Sequence, residues 1–265
     1  MQFSDQIGRS FHLAKTPERI VSLVPSQTEL LSYLGLEDKI VGVTKFCVHP
    51  EALKKNSTVV GGTKKVDYEK IEALKPDIIF CNKEENTEDM VLALEKIAPV
   101  HVSEVITFKD ALQLIGCYGK IFGKEQEASL LTLQIQKEKE ALLKVLPLNK
   151  LKVAYFIWRK PWMGAGKNTF INTLLSINNF ENVLSEKQGR YPEVNLKDFK
   201  KSSADIIFLS SEPYPFKEEH IREIQEELQI PVILVDGEYF SWYGSRLLSA
   251  ISYFKELQAK LSTLL

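Results

Sequence analysis

Apolar positions in this chain fall into two kinds of run. Short blocks rich in β-branched and aromatic residues, such as Ile20-Val21-Ser22-Leu23-Val24, Ile78-Ile79-Phe80-Cys81 and Ile206-Ile207-Phe208-Leu209, are bounded by turn residues and read as buried strands. Longer stretches between them repeat apolar residues at helical spacing. Before residue 123 the pattern predicts a hairpin over 3–13 and a strand over 19–24. A tight turn at Pro25-Ser26-Gln27-Thr28-Glu29 and a helix from Leu30 to Leu34, closed by Gly35, follow. Strands over 39–44, 75–81 and 100–105 then alternate with helices over 68–74, 86–97 and 107–121. After residue 147 the scheme restarts, with strands over 151–158, 204–209 and 232–235 and helices over 169–178, 218–228 and 242–264.

Residues 123–147 differ from everything else in the chain. No Gly or Pro interrupts the stretch between its ends, and Ala128, Leu131, Ile135, Leu142 and Leu146 recur at roughly helical spacing on a charged rod. About 22 helical residues would run about 33 Å, enough to cross a small domain. Taken alone this reads equally well as an amphipathic helix on a core; the repetition of strand and helix signals on both sides favours a backbone joining two lobes. One phrase also repeats: Leu74-Lys75-Pro76-Asp77-Ile78-Ile79-Phe80 and Ser202-Ser203-Ala204-Asp205-Ile206-Ile207-Phe208. The expected fold is α/β, two Rossmann-like lobes with central parallel sheets joined by one long backbone helix. Its divisions are an N-terminal lobe of 1–122, a linking helix of 123–147 and a C-terminal lobe of 148–265.

Composition narrows the function. A formal net charge of −1 with no basic cluster gives no surface for nucleic acid. The three cysteines, Cys47, Cys81 and Cys117, lack CxxC spacing and read as thiols. No apolar run is long enough to span a bilayer, and the start Met1-Gln2-Phe3-Ser4-Asp5 has no secretory signal.

In open α/β sheets ligands collect at the carboxyl ends of the strands. The loops expected there in the second half are unusually aromatic, and all three tryptophans, Trp158, Trp162 and Trp242, fall among them. Rings with a few polar groups suit a large flat or macrocyclic ligand; the alternative is that they close a core. Other chemistry finds little support. Gly164-Ala165-Gly166-Lys167-Asn168-Thr169 lacks the first glycine and the Ser/Thr of a phosphate loop. His12, His49, His101 and His220 have no ligand-like spacing, so no protein-built metal site is expected. No nucleophile elbow occurs, and the chain reads as a binder, with no catalytic residue and no intrinsic cofactor.

Three segments carry a resemblance. Pro17-Glu18-Arg19-Ile20-Val21-Ser22-Leu23-Val24-Pro25-Ser26-Gln27-Thr28-Glu29-Leu30, Val41-Gly42-Val43-Thr44 and Glu69-Lys70-Ile71-Glu72-Ala73-Leu74-Lys75-Pro76-Asp77 resemble the helical-backbone (class III) substrate-binding proteins of ABC importers. Within that family the likeness is to cobalamin binders, with iron-siderophore and haem binders next. The resemblance implies a monomer that holds a corrinoid or iron chelate between its lobes and delivers it to an ABC permease. It also implies a periplasmic or membrane-anchored location; a cytoplasmic one is expected only if the chain as given is complete. By the resemblance Phe46, Tyr191, Tyr239 and Trp158 are cleft aromatics, Glu238 and Trp242 face the cleft, and Trp162 joins them from the aromatic loops. Glu69 would dock on the permease; Lys197, beside Asp198, stands where a second acidic residue belongs. Asn82 and Thr63 stand where cobalamin binders have tryptophans. Two rivals remain: a free-metal-ion binder, and a cytoplasmic binder or enzyme for a similar ligand with Glu212 or Glu238 as acid or base.

Overall fold

The computed structural model describes residues 1–199 and 204–264, with only the backbone described at Lys54, Lys197 and Asp198. The chain divides into two compact units. The first comprises Met1–Val105, Lys109–Gln136 and Trp242–Leu248; the second comprises Ile106–Phe108, Lys137–Ser241 and Ser249–Leu265.

The first unit opens on an antiparallel hairpin, β1 (Gln2–Ser4) and β2 (Ser10–His12), where Phe3 stacks on Phe11 at 5.8 Å. Asp5 at its turn accepts the backbone N–H groups of Ile7 and Arg9, and that of Val102 at 3.2 Å, which pins the hairpin to the unit. Then come β3 (Ile20–Ser22), α1 (Pro25–Tyr33), β4 (Ile40–Val43), the single turn α2 (Leu53–Asn56), β5 (Thr58–Val59) and α3 (Tyr68–Ala73). The unit continues through β6 (Ile78–Asn82), α4 (Glu88–Leu94), β7 (Val100–Ser103) and α5 (Phe108–Phe122). Its sheet is parallel in the order β5-β4-β3-β6-β7. β3 and β6 are buried throughout, which is why their sequences are continuous apolar runs rather than alternating ones. The turn expected at 25–29 is instead the first part of α1. Pro25 occupies the first helical position, where its fixed φ suits a helix and its missing N–H costs nothing.

The long helix α6 spans Glu125–Leu143, 19 residues, and the chain passes from the first unit to the second within it, between Gln136 and Lys137. Ala128, Leu131, Ile135 and Leu142 are all 2% exposed or less, so these four form the buried face, whereas the helix stops short of the expected 147 and Leu146 lies beyond its end, half-buried. α5 and α6 pack closely where they meet: a Cβ on Gly119 would stand 2.7 Å from that of Ala128.

The second unit contains β8 (Leu151–Trp158), β9 (Met163–Gly164), α7 (Phe170–Ile177), β10 (Phe180–Asn182), α8 (Leu196–Phe199) and β11 (Ile206–Ser210). It ends with α9 (Glu218–Leu228), β12 (Val232–Val235), α10 (Gly237–Ser241) and most of α11 (Leu247–Leu264). The parallel order is β10-β8-β11-β12, with β9 antiparallel beside β8. β5, β9 and β10 were not predicted; at two or three residues they are too short to show a period. The closing helix begins at Leu247 rather than 242, because a 3-10 turn at Gly244–Arg246 intervenes.

The repeated phrase performs the same task twice. In the first unit the carboxylate of Asp77 accepts the amides of Glu18 (2.8 Å) and Arg19 (3.0 Å), while its own amide donates to Arg19 O at 2.8 Å. In the second, Asp205 accepts the amide of Lys152 at 2.7 Å and donates to Lys152 O at 2.8 Å. Each aspartate thus fixes the entry of the neighbouring strand. Ser202 and Ser203 of the second copy lie outside the described residues. No helix among the described residues is long and apolar enough to cross a membrane.

Candidate functional site

In the first unit the carboxyl ends of β3, β6 and β7 carry a buried polar network. Gln27, fully buried in α1, accepts the Tyr118 hydroxyl at 2.7 Å and turns its amide N–H groups toward Ser103 Oγ, Tyr243 Oη at 3.1 Å and Cys81 O at 3.3 Å. Asn82 extends it: its Nδ2 donates to Ser103 Oγ at 2.9 Å, and its Oδ1 accepts the amides of Glu84 and Glu85 at 2.8 and 3.1 Å. Asn86 continues the chain, accepting Asn82 N–H and donating to Thr63 O at 2.8 Å. Burial pushes the Tyr243 hydroxyl up to about 12 and Tyr118 well above its ordinary value, so both remain protonated donors. Glu85, reached by this loop, has its pKa raised by burial against the pull of the Lys64 ammonium and the Thr63 hydroxyl.

Two of the sequence-predicted residues belong to this unit. Phe46 is 48% exposed, in a turn after β4 held by the Phe46 amide on Thr44 Oγ1, with the Lys45 ammonium 4.9 Å from its ring centre. Trp242 is 7% exposed; its ring lies edge-to-face with His49 at 5.5 Å and under the Arg246 guanidinium at 4.9 Å. Glu69 is exposed in the first turn of α3, where Asp67 caps the helix through Lys70 N. Asn82 is 4% exposed with its amide engaged internally, so it builds the loop rather than presenting a side chain to a ligand.

The other predicted residues belong to the second unit. Trp158, the last residue of β8, is 40% exposed and meets Tyr214 edge-to-face at 5.6 Å. Trp162 is half-buried: it stacks on Phe216 at 5.7 Å and 4°, meets Phe156 at 5.7 Å and packs against the unit's apolar cluster. Between them Arg159 pairs with Glu223 at 2.8 Å, and that carboxylate raises the guanidinium's pKa. Tyr191 is half-buried in a loop fixed by Gly166 N to Arg190 O and Gly164 N to Pro192 O. Glu238 and Tyr239 open α10. Asp236 Oδ1 accepts Glu238 N at 3.0 Å, and Tyr239 stacks on Tyr253 at 4.8 Å. Tyr214, in the loop after β11, was not singled out from the sequence; the structure sets its ring against Trp158 and, at 4.7 Å, against Phe216. A groove of about 410 Å³ between β12 and α11 is lined by Leu234, Val235, Leu257 and the Tyr253 ring, with Asp236, Glu256 and Lys260 on its walls. Among the described residues no three His, Cys, Asp or Glu side chains converge as metal ligands.

The chain is 29% identical over 194 residues to an uncharacterized ABC transporter substrate-binding lipoprotein, YvrC, of Bacillus subtilis, a match covering 70% of this chain and 61% of that protein. It is 24% identical over 245 residues to a vitamin B12-binding protein of Pectobacterium carotovorum, covering 88% and 86%. Among solved structures it resembles the periplasmic vitamin B12-binding protein BtuF of Vibrio cholerae, with a TM-score of 0.79, 20% identity and 92% and 97% of the two chains covered. The periplasmic haem-binding protein HutB of the same organism gives 0.77 at 21% identity, covering 90% and 98%. These two likenesses show the fold. Residues 20–229 match the family described as periplasmic binding protein, and the chain belongs to that family.

Proposed function

We propose that this chain is the substrate-binding component of an ABC-type importer and that it captures a corrinoid, a haem or another iron chelate. The observation that carries the reading is the pair of half-exposed rings at strand ends, Phe46 in one unit and Trp158 with Tyr214 in the other. Planar rings supply the area a macrocycle needs at little entropic cost, since few torsions are frozen on contact. Relatives named for vitamin B12 and structures named for vitamin B12 and haem support the class of ligand, and the naming of a relative as an ABC transporter lipoprotein supports a permease partner. Those relatives are named as binding proteins, which supports retention of the ligand without turnover. We read the protein as acting alone, as a monomer.

Titration with cyanocobalamin, hemin and a ferric siderophore tests this, with tryptophan quenching and absorbance as the signals. At least one is expected to bind with micromolar or tighter affinity; no response across the three removes the ligand claim. Trp158→Ala is expected to weaken that binding by about 1 to 3 kcal/mol. Trp162→Ala should instead lower stability by about 2 kcal/mol, because its half-buried ring packs on Phe156 and Phe216. Equal effects of the two on binding alone would contradict the division drawn between them.

A further inference from the structure

The connection from α6 to β8, in the second unit, turns its apolar residues outward. Leu143, the last residue of α6, is 49% exposed, Val145 is 63% exposed and Leu148 is 101% exposed, which makes it the summit of a protruding tip. Pro147 is exposed as well, and Leu146 alone is half-buried. The tip is not slack. Val145 N donates to Leu142 O at 3.0 Å, and Pro147 O accepts Asn179 Nδ2 at 2.8 Å, so hydrogen bonds hold the side chains in this outward arrangement. From 141 to 152 the sequence carries Lys144, Lys150 and Lys152 and no carboxylate. Lys152 stands in register with the exposed Glu181 across the pair of β8 and β10, which leaves the exposed Lys144 and Lys150 as the unopposed charge.

Shape and charge together select the partner. A second copy presenting the same tip across a two-fold axis would set Lys144 and Lys150 against their own counterparts, a like-charge contact that opposes association. A lipid surface needs no fitted pocket: its interface accepts protruding apolar side chains, and its phosphates meet the ammonium groups. We propose that residues 143–150 form a contact surface for an anionic lipid bilayer, with Leu143, Val145 and Leu148 entering the headgroup layer and Lys144 and Lys150 lying among the phosphates. The tip is at the amino end of β8, and the exposed Trp158 is at the other end of that strand, about 23 Å away at about 3.3 Å per residue. A bilayer under the tip therefore leaves the carboxyl end of β8 facing solution. The surface is separate from the aromatic loops and stands whether or not the chelate reading holds.

The test uses the full chain and sucrose-loaded vesicles of phosphatidylcholine, with and without phosphatidylglycerol, read by co-sedimentation. At low salt the protein should sediment with the anionic vesicles and hardly at all with the neutral ones, and raising the salt to a physiological level should weaken binding severalfold. Lys144→Gln with Lys150→Gln should weaken it about twentyfold, and Val145→Ser with Leu148→Ser about tenfold. All four side chains are exposed, so the melting midpoint should stay that of the wild type. Leu130→Ser with Leu133→Ser removes two leucines, 67% and 62% exposed, from the same helix outside the tip, and should leave sedimentation unchanged. Absence of binding to anionic vesicles at low salt, binding untouched by either tip pair, or an equal loss with the Leu130 and Leu133 pair each overturns the proposal. A dimer in sedimentation equilibrium that Leu148→Ser dissolves, with no vesicle binding, would give the tip to a second copy and overturn it as well.

Discussion

His101 shows what burial does to a single ionisable side chain. It is fully buried in β7, boxed by Phe11, Phe80 and Tyr118 at ring distances of 5.9, 5.5 and 5.4 Å. Its Nε2 lies 3.7 Å from Cys117 Sγ, and its Nδ1 has no hydrogen-bond partner among the described residues. Burial pulls its pKa from 6.5 to about 4, only partly countered by Asp5, so the folded protein holds it neutral. The unfolded chain takes up the proton more readily, so this residue costs stability as pH falls below 6.5, with the full penalty reached near 4. That penalty is on the order of 3 kcal/mol. His101→Phe should therefore flatten the decline in unfolding free energy between pH 7 and pH 4, measured by urea melts. Parallel declines in the two proteins would show that other groups govern the acid response. Nothing in the sequence marked His101 for this, because its box is assembled from β2, β6 and α5. Asn82 makes the same point: the resemblance placed it at a ligand position, but only the structure shows its amide bonded inward.

At the scale of elements, the parts most legible in the sequence were those whose side chains face one environment along their whole length. β6, β11 and β12 read as strands because burial on both faces makes them continuous apolar runs, and α9 (Glu218–Leu228) was predicted at its exact bounds. What failed was decided by backbone chemistry or by distant contacts: Pro25 starting a helix, two-residue edge strands, and a closing segment drawn onto α1 by Gln27 and Glu29. The aromatic loops were found, but the difference between the exposed Trp158 and the Trp162 ring packed on Phe216 was not, since both sit at the end of one strand. The α5–α6 junction lends itself to a test. With only 2.7 Å available between a Cβ at Gly119 and that of Ala128, any side chain must part the two helices. Gly119→Val should lower stability by about 1 to 3 kcal/mol by overpacking, a cost that the small gain in helix preference over glycine does not offset. Gly116→Ala on the same helix, where a Cβ meets nothing within 4 Å, should be neutral or slightly stabilising. Equal losses at both positions would mean that the close approach at Gly119 does not set the cost.

For the whole molecule the open matter is the partner that would receive the ligand. The resemblance assigns docking to an acidic residue on each lobe. Glu69 supplies one, exposed in the first turn of α3, while the side chains at the second position, Lys197 and Asp198, lie outside the described residues. Charge at a rim contact acts mainly on encounter rate and partner choice, so its effect should be strong at low salt and fade as ionic strength rises. Glu69→Lys reverses the sign at one point and should reduce ligand-dependent stimulation of a reconstituted ABC importer, with recovery of neither rate nor coupling by excess ligand. Affinity for the ligand itself should stay as in the wild type, since Glu69 lies on α3, away from the Phe46 turn and the Gln27 network. A lysine at a helix N-terminus also opposes the helix dipole by about 0.3 to 1 kcal/mol, so Glu69→Gln serves as the control. The glutamine variant should show an intermediate loss with less salt dependence. Full stimulation by the lysine variant would place docking on other surfaces, and a parallel loss of ligand affinity would move Glu69 from the partner to the ligand.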